Sequence, residues 1–344
     1  MARSAGINSK KPHRLISVRF VLLFTLLTLF HSYHSLTLYA QPLTADSISI
    51  YFAGDIMQHK AQLEAAHKTD GTYGYEGCFT QVEPEIKAAD IAVCNFETTL
   101  GGAPYSGYPQ FCSPDELAVA VRDAGFDIFL TANNHCMDRR THGLIRTLDV
   151  LDSLGIRHLG IYRNQAERDS LYPYIIEHGT MRIALLNYTY DTNGIPVAQP
   201  CIVNLIDTTQ IKADILRARQ LKADCIIACM HWGTEYKTEP DRKQYLLEDW
   251  LYAHGVDHII GSHPHVVQPV RTIPDYLGRS SRHLTVWSLG NYISNMSAPH
   301  TDQGLAVTLH LLKIGFVTRM TRYDLHPNHT ERHKGVRPFC VVPE

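Results

Sequence analysis

The sequence predicts an α/β fold with a mixed sheet or two sheets, on three observations. Short apolar runs alternate with amphipathic stretches of helical period from residue 47 onward. The last third turns rich in strand-like segments. Polar, ligand-type side chains follow the apolar runs, at the strand ends where α/β sheets bind their ligands.

Residues 47–53 (SISIYFA), 89–94 (ADIAVC) and 127–132 (DIFLTA) read as strands. Between the second and third, 114–124 reads as a helix, with Ser113 as its cap and Pro114 in the first helical position. A second helix covers 141–154 and closes at Gly155. Residues 174–177 and 181–186 flank His178-Gly179-Thr180 as a hairpin. A helix over 207–221 leads to a buried strand at 225–230 (CIIACM), and a helix over 241–254 stops at Gly255. Strands follow at 258–260, 284–288 and 305–313, with 316–325 pairing back after Gly315. No repeat or low-complexity block divides the chain, so one domain is expected over 44–325, with a polar tail at 326–344.

Residues 1–40 differ from the rest. They carry five basic residues and no acidic one, then a run at 20–30 broken only by Thr25 and Thr28, then Leu38-Tyr39-Ala40 before Gln41. That order is the grammar of an export signal, cleaved or kept as an anchor, and it places the protein in the periplasm or on a membrane. The whole chain has 32 basic and 34 acidic residues; removing the five basic residues of the leader leaves 27 against 34. An acidic exported domain excludes charge-driven nucleic-acid binding. At 44% hydrophobic and 19% charged, the chain is neither disordered nor a multi-span membrane protein. The eight Cys include no CxxC pair, which argues against a thiolate zinc knuckle, and Cys94, Cys225 and Cys229 lie in apolar runs as buried thiols.

The strand ends carry the chemistry. In order they read Gly54-Asp55-Ile56-Met57, Asn95-Phe96-Glu97, Asn133-Asn134-His135 with Asp138, His231-Trp232-Gly233, Gly261-Ser262-His263-Pro264-His265 and Gly290-Asn291-Tyr292. A lone Gly-Asp is usually a turn, and a lone His is often a core residue. Two carboxylates, an amide and several imidazoles at successive strand ends instead make a set suited to Mn, Fe or Zn rather than Ca. Pro264 fixes the backbone between two imidazoles and spreads them. His135 can donate a proton near neutral pH, and Asp138 can orient its ring. Trp232 and Tyr292 suit either the core or a pocket wall, and Tyr73, Tyr75, Tyr105 and Tyr108 lie in Gly-rich loops that could form a substrate rim.

These blocks, in this order over residues 54–291, resemble the CapA family of poly-γ-glutamate capsule synthesis proteins. The resemblance implies a four-layer α/β/β/α sandwich of the metallo-dependent phosphatase type, with one or two divalent cations and a metal-activated water. It implies that Asp55 and His265 serve one cation, that Asn134, His231 and His263 serve a second, and that Glu97 bridges them in place of the Asp of the phosphatases. His135 would protonate the leaving group. The chain departs from the phosphatase pattern at Met57, where a His is expected, and His59 is the replacement at hand. Two functions follow: an exported metal-dependent hydrolase acting on an envelope polymer or its precursor, or a non-catalytic metal-binding subunit working with membrane subunits of a capsule synthesis and export complex.

Overall fold

The computed structural model describes residue 1 and residues 45–274, 282–332 and 339–344. The expected leader lies outside the described residues. Residues 45–344 form one compact unit.

In chain order its elements are β1 (Ala45–Ile56), α1 (Lys60–Ala66), α2 (Glu83–Lys87), β2 (Ile91–Phe96), α3 (Asp115–Asp123), β3 (Ile128–Leu130), α4 (Arg140–Ser153), β4 (Arg157–Leu159), β5 (Ile161–Tyr162), α5 (Gln165–Leu171), β6 (Tyr174–His178), β7 (Met181–Thr189), β8 (Ile202–Val203), α6 (Thr208–Gln220), β9 (Cys225–His231), α7 (Arg242–His254), β10 (His258–Ser262), β11 (Val270–Ile273), β12 (His283–Val286), β13 (Asn291–Ile293), β14 (Gln303–Ile314), β15 (Val317–Glu331) and β16 (Cys340–Pro343).

The strands make two large sheets. The first runs β16-β15-β14-β1-β2-β3-β4, with β13 also paired to β1; the second runs β11-β12-β10-β9-β7-β6. In the first, β1 to β4 are parallel and β14 and β15 antiparallel. In the second, β7, β9, β10 and β12 are parallel between antiparallel edges. Alternation along β1 sets the layers. Ile48, Ile50 and Phe52 join a core shared with Ile183 and Leu185 of β7, Ile227 of β9 and Val307 of β14. Tyr51 and Ala53 point the other way, to a second core with Ile86 of α2, Leu117 and Val121 of α3 and Leu151 of α4. On the far side of the second sheet, Ile211 and Ile215 of α6 and Leu251 of α7 close the stack. The result is a four-layer α/β/β/α sandwich, and burial on both faces is why β7 and β9 read as continuous apolar runs.

Most expected elements are present with shifted ends. Asp207 and Asp241 cap α6 and α7 through side-chain oxygens, and Gln244 completes a capping box with Asp241. Asp241→Ala is expected to cost about 1 kcal/mol, lowering the melting temperature by roughly 2 °C in a calorimetric scan. Ser113 is not a cap: Pro114 takes that place, and Ser113 Oγ lies 2.8 Å from Thr98 Oγ in the interior.

The expected domain end at 325 and polar tail at 326–344 need correction. β15 continues to Glu331, and β16 pairs with it while the Val341 N–H donates to the Cys78 carbonyl at 2.8 Å. Trp232 and Tyr292 are core residues: Trp232 stacks on Trp287 and donates to its carbonyl, and the hydroxyl of Tyr292 meets that of Tyr51. All eight Cys are buried free thiols. Among the described residues, no helix is long and apolar enough to cross a membrane.

Candidate metal centre

The carboxyl ends of β1, β2 and β3 in one sheet meet those of β9 and β10 in the other. Gly54 lets this happen. A Cβ there would stand 2.0 Å from the Gly290 carbonyl oxygen, the atom that accepts from the Asp55 N–H at 3.0 Å. The Gly-Asp and Gly-Asn blocks are thus two sides of one close backbone approach, which seats Asp55 and Asn291 side by side in register.

All six expected ligands are brought to this place. Asp55, Glu97, Asn134, His231, His263 and His265 are each at least 98% buried. Donor atoms of Glu97, His263 and His265 lie within 4.8 Å of one another, as do those of Asp55, Glu97 and His231. His231 Nε2 stands 2.8 Å from Asn134 Oδ1 and 3.6 Å from Glu97 Oε1. Two ligands each about 2.1 Å from one cation sit roughly 3 to 3.5 Å apart, so this spacing suits a shared cation. Glu97 belongs to both groups. His265 also lies against Asp55, Nδ1 to Oδ2 at 3.0 Å, and the His263 ring stands 4.8 Å from that of His231.

The tautomer of His265 follows from its neighbours. Asn291 uses its Nδ2 to donate to the Thr301 carbonyl at 2.8 Å, so its Oδ1 faces His265 Nδ1 at 3.1 Å as an acceptor. Asp55 Oδ2 accepts at 3.0 Å from the same nitrogen. Nδ1 therefore carries the proton, and Nε2 turns a bare lone pair inward. That atom, Glu97 Oε1 and His263 Nδ1 are all buried without a hydrogen-bond partner. Nε2 of His265 and Oε1 of Glu97 stand 3.9 Å apart, and buried unpartnered atoms on three grouped residues are costly unless a cation satisfies them; an oxygen-plus-imidazole set fits a divalent transition metal or zinc.

Electrostatics agree. Burial, with Asp55 alongside, pushes the Glu97 carboxyl well above the usual carboxylate range. Burial and neighbouring imidazoles push His231 and His263 well below the usual imidazole range, so both are neutral and able to ligate. A cation reverses the pressure on Glu97 and leaves the imidazoles as they are. The backbone is also spent on this site: His263 and His265 hold φ of 99° and 58°, a conformation unfavourable for any residue but Gly.

His135 stands at the edge of the cluster, in no ligand group. Its Nδ1 is 2.7 Å from Asp138 Oδ2, and that oxygen also accepts from the Phe111 N–H at 2.6 Å. Asn133 holds the turn, donating to the Phe96 carbonyl and accepting from the His135 N–H. Phe111 lies edge-on to the His135 ring at 4.5 Å. His59 packs on the other side of Phe111 at 5.1 Å, with burial holding it at about 4, but it joins no ligand group.

Sequence reasoning passed over Asn95 and Asn291, although both stand in the quoted blocks. Asn95 Nδ2 donates to Asp55 Oδ1 at 2.8 Å and Glu97 Oε2 at 3.1 Å, tying the two carboxylates together. Tyr190, 4.4 Å from the His263 ring and partly exposed, forms part of the mouth. No motif marked it; only its place after β7 could have done so.

A two-sheet sandwich with carboxylates and imidazoles at the strand ends defines a protein of the metallophosphatase fold. Among solved structures, the chain is similar to Haemophilus influenzae NAD nucleotidase (TM-score 0.51, 15% identity, 84% of this chain and 52% of that one). It is also similar to a 5'-nucleotidase precursor from Thermus thermophilus (TM-score 0.50, 12% identity, 82% and 54%). Within that fold the chain belongs to the bacterial capsule synthesis protein PGA_cap family, whose model matches residues 49–296. It is 26% identical over 298 residues to the PGA biosynthesis protein CapA of Bacillus subtilis (strain 168), covering 82% of this chain and 72% of that protein. It is 25% identical over 279 residues to the capsule biosynthesis protein CapA of Bacillus anthracis, covering 77% and 64%. The chain thus spans about half the length of the two solved structures and under two thirds of the B. anthracis relative.

Proposed function

We propose that the protein is an exported, metal-dependent hydrolase that cleaves a phosphoester, or another ester or amide, in an envelope polymer or its precursor. The observation that carries this reading is the convergence of Glu97, His263 and His265, each with a buried and unpartnered polar atom, beside the paired His135 and Asp138. Asp55, Glu97, Asn134, His231, His263 and His265 would hold one or two cations (Mn, Fe or Zn). Bound there, such cations neutralise charge developing on a phosphoryl or carbonyl oxygen and lower the pKa of water to about 7.

The chain's own residues do the rest. Asn95 and Asn291 fix the carboxylate and imidazole that face the cations. Asp138 accepts from Nδ1 of His135, which leaves Nε2 to carry a proton to the departing oxygen. Phe111 keeps water from the flank of that ring. The acidic balance of the domain gives a polyanion no general attraction, so a polymer carboxylate or phosphate would be drawn by the cations themselves.

The test is metal analysis of the purified protein together with hydrolysis of a bis-aryl phosphate and of poly-γ-glutamate. Turnover that disappears with a chelator and returns with Mn or Zn is the expected result. Tightly held metal without turnover on either class would replace this reading with that of a metal-binding subunit of a synthesis complex. Export is checked separately: residues 1–50 fused to a reporter active only outside the cytoplasm should give signal.

A further inference from the structure

A groove of about 530 Å³ is lined by Lys60, Leu63, Glu64 and His67 of α1 and its end and by Tyr73, Tyr105 and Tyr108 of the two Gly-rich loops. We propose that this groove is a sugar-binding subsite, in which a pyranose ring stacks on the tyrosines while its neighbour in the chain reaches the metal centre.

The walls are preset. Tyr73 and Tyr105 meet at 5.2 Å and 88°, and His67 meets Tyr73 at 5.2 Å and 68°, so the rings brace one another, while Tyr108 is exposed. Backbone bonds hold the loops to the helix: the Gly74 N–H donates to Ala66 and the Lys68 N–H to Thr72, each at 2.8 Å. The second loop comes so close to the start of α1 that a Cβ on Gly107 would stand 2.4 Å from the Lys60 nitrogen. Tyr75, in the same stretch of sequence, is buried in the second core, and Tyr73 is partly buried against it.

Charge narrows the ligand. Lys60 faces Glu64 at 3.7 Å, both well exposed, so the groove offers no unbalanced cation for a polyanion. What remains is aromatic faces with hydroxyl and imidazole groups at their edges. A sugar ring matches that: its axial C–H groups pack on a π face, and its hydroxyls exchange hydrogen bonds with the rim. Ring contacts link the groove to His135 through Phe111. Tyr108 stands 6.3 Å from Phe111, and Phe111 stands 4.5 Å from His135.

That the sugar belongs to the substrate rests on the hydrolase reading; that the groove binds sugar does not. Calorimetric titration of the full chain with maltotetraose, cellotetraose and N-acetylchitotetraose separates the two, because it needs no turnover. At least one should bind, and Tyr73→Ala and Tyr105→Ala should each weaken it about tenfold, while Tyr105→Phe, which keeps the ring, should weaken it far less. Unchanged melting temperatures certify that the variants fold. The proposal is overturned if none of the three binds, if binding ignores the tyrosine variants, or if a γ-glutamyl oligomer binds there and the sugars do not. A sugar-binding protein without hydrolysis would remove only the catalytic reading.

Discussion

His135→Ala is expected to keep its metals and to lose about 10²- to 10⁴-fold in rate, the usual worth of general acid catalysis. The separation is structural. His135 lies in neither group of convergent donors, and its Nδ1 is committed to Asp138 at 2.7 Å. Replacing the ring leaves the set around Glu97 intact. The loss should shrink for p-nitrophenyl esters, whose leaving group needs no proton, and stay large for alkyl esters. Asp138→Ala should slow the enzyme in the same leaving-group-dependent way, since it removes the acceptor that holds the ring. It also disturbs the Phe111 N–H, so a small fall in melting temperature should accompany it. If His135→Ala strips the metals as fully as a ligand variant does, the proton-donor assignment is wrong.

His263→Ala should lose metal and rate together, for every leaving group. Its imidazole is one of three donors converging with Glu97 and His265, and its removal leaves Nε2 of His265 and Oε1 of Glu97 short of a shared partner. If the parent is saturated at about 100 times its dissociation constant, losing the metal costs about 2.7 kcal/mol of stability. One complication is built into the backbone. His263 sits at φ 99°, so Ala inherits the strain, whereas His263→Gly relieves it. Both variants should be metal-poor by elemental analysis, with Gly the more stable of the two in the presence of chelator. Metal content equal to the parent's in both would remove His263 from the site.

The parts of the fold that could be read in the sequence are those where burial imposes a period. β7, β9 and β14 announce themselves because one or both faces are dry. β15 does so only in its first half. Thr318 and Met320 are buried there, but Asn328 and Thr330 occupy the buried positions beyond, next to Pro327, so its second half reads as a polar tail. β4, β5, β8 and β13 have only two or three residues each, too few for any period to show. At the site, the ionisable ligands were legible as strand-end blocks because a sheet delivers them there. Asn95 and Asn291 were in those blocks too, but a neutral amide carries no titration signal, and its role depends on partners 40 and 26 residues away.

β1 starts at Ala45, paired with Ile314 beside the turn that exposes Phe316, and delivers Asp55 at its far end. At about 3.3 Å per residue the two ends lie roughly 33 Å apart. The start of β1 and the metal centre therefore lie at opposite poles of the compact unit. An immobilised preparation coupled through its N-terminal side should keep its centre open to long polymers, whereas one coupled near Tyr108 should not.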